Sequence, residues 1–191
     1  FRTAPIQNYN LSARGGSESM RYNLSFDYTQ QEGIVRGSDF ERFSIRLNNE
    51  YSVHPNISIG HNLALIYDNR TNGPTAVNTA LRSAPIAVPF EDDGSFSPST
   101  ASISSTGNIE ATLFYNDNTA FSYRGTGNMY ADFTFFKNFR FRTNFGLDLS
   151  QRQEDQFIPV FEVSPIQQNE DSRIILREGL NRRGWWENTL N

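Results

Sequence analysis

The sequence predicts an all-β chain, and more narrowly an antiparallel transmembrane β-barrel segment of about seven strands, with long extracellular loops and a short helix in one of them. Three observations predict it. Side chains alternate polar and apolar with a period of two. The alternating runs span roughly nine or more residues, the length that crosses a bilayer when tilted, against the ~5–6 of ordinary soluble strands. The connections between runs are alternately short and long.

The clearest run is Arg21 to Thr29, where Tyr22, Leu24, Phe26 and Tyr28 oppose Arg21, Asn23, Ser25, Asp27 and Thr29. In Phe43 to Tyr51 the apolar set is Phe43, Ile45, Leu47 and Tyr51, with Arg46 and Asn48 opposite. In Phe139 to Leu149, Phe139, Phe141, Phe145, Leu147 and Leu149 oppose Arg140, Arg142, Asn144 and Asp148. Weaker alternation predicts strands over Gln7–Arg14, Ile57–Tyr67 and Asn128–Phe136, and a last one around Trp185-Trp186. A soluble sandwich would show the same polar face to solvent. In a barrel that face lines the lumen.

The connections favour the barrel. Arg14-Gly15-Gly16-Ser17-Glu18, Val53-His54-Pro55-Asn56 and Phe136-Lys137-Asn138 are short, whereas Gln30–Ser38, Asp68–Ser122 and Gln151–Arg183 are longer. Outer-membrane barrels have this asymmetry, with short periplasmic turns and long outer loops. Within the longest loop, Thr75–Ser83 predicts one or two helical turns between Pro74 and Pro85. Ser95–Thr106 is Ser-rich. The turn Glu91-Asp92-Asp93-Gly94-Ser95 is acidic, but its spacing does not match a calcium loop.

Composition closes off several function classes. No run of about 18 apolar residues exists for a membrane helix, and a mean hydropathy of -0.58 is compatible with a barrel, where only alternate residues meet lipid. There is no Cys and there are only two His, His54 and His61, so thiolate chemistry and a histidine-based metal site have little material. Net charge is -4, which argues against a nucleic-acid binder. Glu154-Asp155 and Glu170-Asp171 are read as solvated loop carboxylates without a partner base. With no Ser/His/Asp order, phosphate loop or metal spacing, no enzyme, cofactor or metal is expected. A soluble carbohydrate-binding module remains the alternative, and a β-rich hydrolase a more distant one.

The stretch Tyr9 to Glu18, then Arg21 to Asn48, with its Gly15-Gly16-Ser17-Glu18 turn, Gln31-Glu32-Gly33-Ile34-Val35 loop and Arg42-Phe43-Ser44-Ile45-Arg46-Leu47-Asn48 strand, resembles the first barrel strands of SusC/RagA-type TonB-linked outer-membrane proteins. Ser83-Ala84-Pro85 followed by Asp93-Gly94 resembles that family's long extracellular loop, and Tyr130–Leu149 its next hairpin. The resemblance covers nearly the whole chain and is densest over residues 9–65. It implies a barrel of about 22 strands in the outer membrane of a Gram-negative bacterium, plugged by an N-terminal domain. It also implies energising through the TonB complex, a SusD-like surface lipoprotein as partner, and oligosaccharides or peptides as cargo. Residues 1–191 then form part of one barrel domain, with plug and remaining strands absent. Phe1 is not Met and the Trp185–Asn191 end reads as a strand cut short, so both ends are expected to be cuts through a longer chain.

On this reading Arg21, Asn23, Asp27, Arg42, Arg46, Asn48, Arg140, Arg142, Asn144 and Asp148 face the lumen, where they meet plug or water rather than substrate. Tyr22, Leu24, Phe26, Tyr28, Phe43, Ile45, Leu47, Tyr51, Phe139, Phe141, Phe145 and Leu147 face membrane lipid or its interfaces. Tyr67, Trp185 and Trp186 join the aromatic girdles, or the Trp pair stacks on a sugar.

Overall fold

Alternation along each run gives a two-faced ribbon, and the computed structural model joins these ribbons into one sheet. It describes residues 2–74, 76–98, 106–136 and 139–191. Thr75, Lys137, Asn138 and residues 99–105 of the Ser-rich run lie outside the described residues. The chain runs β1 (Ile6–Gly16), β2 (Met20–Glu32), β3 (Asp39–His54), β4 (Ile57–Thr71), α1 (Ala76–Arg82), α2 (Ile109–Phe114), β5 (Asp117–Phe135), β6 (Phe139–Ile158), β7 (Phe161–Ser164), β8 (Gln167–Asn169) and β9 (Arg173–Leu190). Seven strands form one antiparallel sheet in the order β1-β2-β3-β4-β5-β6-β9, and β7-β8 is a separate hairpin. Among the described residues no helix is long and apolar enough to cross a membrane, which says nothing of a β-barrel.

Register fixes which side chains share a face. Leu24 pairs with Leu47, Leu47 with Leu63, Leu63 with Gly127 and Gly127 with Leu147, so the leucines form one row across the apolar face. Along the same face Tyr9, Tyr28, Phe43, Tyr67 and Tyr123 form an aromatic row over five strands. Its ring centroids are 6.1, 4.6, 6.3 and 5.0 Å apart in turn. Phe133, Phe135, Phe139 and Phe141 gather at the opposite end.

Among the described residues nothing covers this face. The only buried apolar side chains among the described residues are Ala111 and Ala120, while Leu24 is 41%, Ile45 39% and Leu65 47% exposed. A sandwich would lay a second sheet here; the described residues supply none.

The hairpin starts are staggered. Met20 lies level with Ile59, two residues inside the start of β4 at Ile57, and Ile57 lies level with Phe141, two residues inside the start of β6 at Phe139. Two residues of about 3.4 Å gained across two strand spacings of about 4.8 Å tilt the strands by roughly 35° from the line of the turns. Barrel strands are tilted by ~35–45°.

The sequence places the seven strands of the large sheet but draws several too short, and it misses β7 and β8. β5 begins at Asp117 rather than Asn128, β6 runs on to Ile158 rather than Leu149, and β9 begins at Arg173, inside the stretch expected to be loop. The extensions of β5 and β6 are largely polar on both faces, and Arg182 and Gly184 interrupt the apolar face of β9, so the period-two signal fades where backbone pairing continues. The short connections Ser17–Ser19 and Pro55–Asn56 lie at one end, where β5 ends at Phe135 and β6 begins at Phe139. At the other end are a loop over 33–38, the stretch 72–116 carrying both helices, and 159–172 carrying β7-β8.

The two longest connections pack on each other. Tyr115 stacks on Phe161 with centroids 4.3 Å apart. Asn108, 6% exposed, caps α2 by accepting from the N–H groups of Glu110 and Ala111. Its side-chain amide donates to the carbonyls of Pro89 (2.6 Å) and Ser97 (3.0 Å), and its backbone N–H donates to Gln167 Oε1 (2.6 Å). Asn108→Ala should therefore loosen both loops together, with a local loss of about 1–2 kcal/mol. Faster protease cleavage in both 84–98 and 159–172 would show it; cleavage of one loop alone would refute the coupling. In the acidic turn, the Ser95 hydroxyl and backbone N–H hold the Asp93 carboxyl below its usual range. That stabilising effect is present at neutral pH and is lost only as the pH falls below the ordinary carboxylate range.

Candidate functional site

The polar face of the sheet concentrates the charged groups. Arg21, Asn23, Asp27, Arg42, Arg46, Asn48, Arg140, Arg142, Asn144 and Asp148 all fall on it by register. Tyr22, Leu24, Phe26, Tyr28, Phe43, Ile45, Leu47, Tyr51, Phe139, Phe141, Phe145 and Leu147 all fall on the apolar face. Trp185 and Trp186 separate. Trp186 pairs with Phe145 on the apolar face, whereas Trp185 pairs with Gly146 on the polar face, because neighbouring residues of a strand point opposite ways. The pair therefore cannot stack together on one sugar, and Trp185 does not share a face with the other rings expected in the girdles.

The polar groups are arranged in layers. Nearest the short turns, Asp132 receives both guanidiniums of Arg140 (Nε 3.1 Å, Nη2 2.9 Å) and Arg142 (Nε 2.8 Å, Nη2 2.6 Å). Arg142 also lies 4.4 Å from the ring centroid of Tyr130, whose hydroxyl donates to Glu50 at 3.0 Å. The next layer is an asparagine row, Asn23, Asn48, Asn62 and Asn128, in which Asn62 donates to Asn128 (3.1 Å) and Asn128 to Asn144 (2.6 Å). Toward the loops, Arg124 forks onto Asp148 and Arg42 binds Asp68 at 2.6 Å. Ser122 donates to the same Asp68, and Asn10 and Ser44 both donate to Asp27. Glu154 is a correction. It lies in β6, not a loop, and pairs with Arg177 (3.3 Å) and Arg152 (3.7 Å). The signal missed was the continuing strand.

Two features of this face go beyond single contacts. By register it holds Arg14, Arg21, Arg42, Arg46, Arg70, Arg124, Arg140, Arg142, Arg152, Arg173, Arg177 and Arg183 against Asp27, Glu50, Asp68, Asp132, Asp148, Glu154 and Glu187. That is an excess of five cations in a chain of net charge -4. The carboxylates are also sunk beneath their partners. Asp68, Asp132, Asp148 and Glu154 are 6–23% exposed, and the arginines bound to them 41–56%.

Two aromatic rings lie flat on the wall because glycine stands below them. A Cβ at Gly146 would run into the Trp185 indole, and one at Gly60 into the Tyr130 ring. Gly146→Val should cost about 1–3 kcal/mol by overpacking. Trp185→Ala in the same chain should recover part of it, read as the coupling in thermal unfolding of the full-length protein. Strict additivity would show that the two do not meet.

The two histidines are structural: His61 contacts Asn49 at 3.1 Å, and His54 Nδ1 accepts from the Asn56 N–H at 3.2 Å. No group of three or more His, Cys, Asp or Glu could hold a metal ion among the described residues, the acidic turn included.

No protein-family model matches the chain. It is 26% identical over 189 residues to TonB-dependent receptor P26 of Formosa agariphila, covering 98% of this chain and 19% of that protein. It is 27% identical over 176 residues to TonB-dependent receptor P3 of the same organism, covering 83% and 17%. It is 40% identical over 48 residues to TonB-dependent receptor SusC of Bacteroides thetaiotaomicron, covering 25% and 5%. The chain thus spans about a fifth or less of the length of these relatives. Its fold matches that of the RagAB peptide importer in the closed-closed state, with a TM-score of 0.81 and 21% identity over 100% of this chain and 22% of that one. It matches the open-open state with a TM-score of 0.80 and 20% identity.

Proposed function

We propose that this chain, a SusC/RagA-type TonB-dependent receptor segment, forms part of the wall of an outer-membrane β-barrel that imports nutrients. The observation that carries the reading is the two-faced sheet. An uncovered apolar face bounded by aromatic rings suits lipid, and a charged, hydrogen-bonded face suits a water-filled lumen. From Tyr67 to Ile57 the apolar stripe of β4 covers about 34 Å of strand, which at a tilt of ~35–40° gives about 26–28 Å of height, close to the ~25 Å band of such barrels.

The finer reading follows the relatives. The barrel is larger than this sheet, of about 22 strands. Residues 1–191 belong to one barrel domain whose plug and remaining strands lie in other parts of a longer chain. The long-loop end faces outward and meets a SusD-like surface lipoprotein, and TonB acts through the N-terminal part. The cargo is an oligosaccharide or a peptide, and the role is transport rather than catalysis. Arg21, Asn23, Asp27 and their neighbours on the polar face meet plug or lumen water, while Leu24, Phe26 and Ile45 meet lipid.

The test is fractionation of the full-length protein. It is expected in the outer membrane and, in mild detergent, with a surface lipoprotein. Recovery in the soluble fraction without one would overturn the reading and favour a soluble carbohydrate-binding module.

A further inference from the structure

The five surplus cations of the polar face are not evenly spread. On the loop side of the asparagine row stand eight arginines and four carboxylates; on the turn side, three arginines and two carboxylates; Arg14 and Glu187 are level with the row. Four of the five surplus charges therefore lie toward the long loops. There the wall folds into a recess of about 230 Å³ lined by Arg42, Arg70, Arg152, Asp68 and Ser122.

The lining does not neutralise itself. Asp68 already accepts from Arg42 Nε and, at 2.8 Å, from the Ser122 hydroxyl, so its charge is answered within the wall by one of the three arginines. Arg152 shares Glu154 with Arg177 at a loose 3.7 Å. Arg70, like Arg46 on the strand beside it, has no ion-pair partner among the described residues. Each guanidinium has five donors and its carboxylate uses at most two, so the half-exposed heads offer unspent N–H groups to the open side. Arg42 is also held over the Phe40 ring at 5.0 Å. The recess is smaller than the ~300–1,000 Å³ clefts that engulf whole small molecules, and so is sized for one group of a longer molecule.

We propose that this recess binds a carboxylate or sulfate group of an anionic oligomer, an acidic oligosaccharide or an acidic peptide, as it enters the lumen. The inference rests on the transporter reading above and narrows its cargo by charge. A guanidinium fork matches a planar carboxylate or a sulfate edge through two parallel hydrogen bonds. Asp68, the carboxylate of the lining, is 23% exposed and bound by Arg42, and three guanidiniums outweigh it.

The experiment uses the full-length protein in lipid nanodiscs, with its lipoprotein if one co-purifies. Four probes are compared: tetragalacturonate against maltotetraose, and tetraglutamate against tetra-alanine. An anionic probe should bind at least ~10-fold more tightly than its neutral counterpart, with affinity falling as salt rises. Whichever anionic probe does so identifies the cargo chemistry. Arg70→Gln with Arg152→Gln should weaken that probe ~10-fold or more and leave the neutral probes within about twofold, and Arg70→Lys should weaken it less. Outer-membrane protein with no charge preference, or an unchanged preference in the double variant, overturns the proposal alone. So does loss of all probes together with protease release of the plug, which would make these arginines plug contacts. Absence of the protein from the outer membrane overturns the transporter reading as well.

Discussion

Leu47→Arg is expected to destabilise the full-length barrel by about 2–4 kcal/mol, the cost of an arginine at the middle of a lipid-facing strand. Leu47 stands at the centre of the apolar stripe, flanked by Leu24 and Leu63. Its neighbour Asn48 stands between Asn23 and Asn62 on the other face. Asn48→Arg should accordingly cost well under about 1 kcal/mol, since its charge reaches water and the face already holds twelve arginines. Urea unfolding in lipid, with outer-membrane abundance as a second readout, compares two substitutions one residue apart. Equal costs would contradict a lipid face, and a larger cost at Asn48 would reverse the assignment of the two faces.

The second large effect is at Asp132. Its carboxylate, 6% exposed, accepts four N–H groups from two arginines. Asp132→Ala leaves two guanidiniums side by side with nothing between them. A fully buried pair broken this way costs ~3–5 kcal/mol. Here the arginines are 54% and 41% exposed and partly screened, so about 2 kcal/mol is expected, more at low salt. Asp132→Asn keeps the shape and should fall between. Adding Arg140→Gln to Asp132→Ala should recover stability by removing the repulsion. If the added change destabilises further, the ion pairs are not what Asp132 supplies.

How much of this was legible depends on what each side chain faces. Tyr22–Tyr28 and Phe139–Leu149 could be read because one face has a single apolar environment over the whole run. β5 from Asp117 to Gly127 could not: Gly125 and Gly127 leave gaps in the apolar face, and above Tyr123 only Phe121 and Ala120, on opposite faces, are apolar. β9 hid for a similar reason, since Arg182 and Gly184 occupy apolar-face positions beside Leu149 and Leu147. The charged residues of the polar face were visible, but their partners were not. That Arg124 meets Asp148, or that two arginines share Asp132, follows from register between strands and leaves no mark within either one. α2 escaped notice because its six residues depend on Asn108, whose bond to Gln167 crosses 59 positions.

The stagger of the hairpins also sets a calibre. Strand number, shift per strand and tilt together determine the radius of a closed cylinder. One residue of shift per strand, continued around about 22 strands, gives a backbone radius of about 20 Å. Even after side chains line it, an opening that wide would let most small solutes diffuse through. If the proposed barrel keeps this pitch all the way round, it would be leak-tight only with something filling it, and would open only as that filling moved.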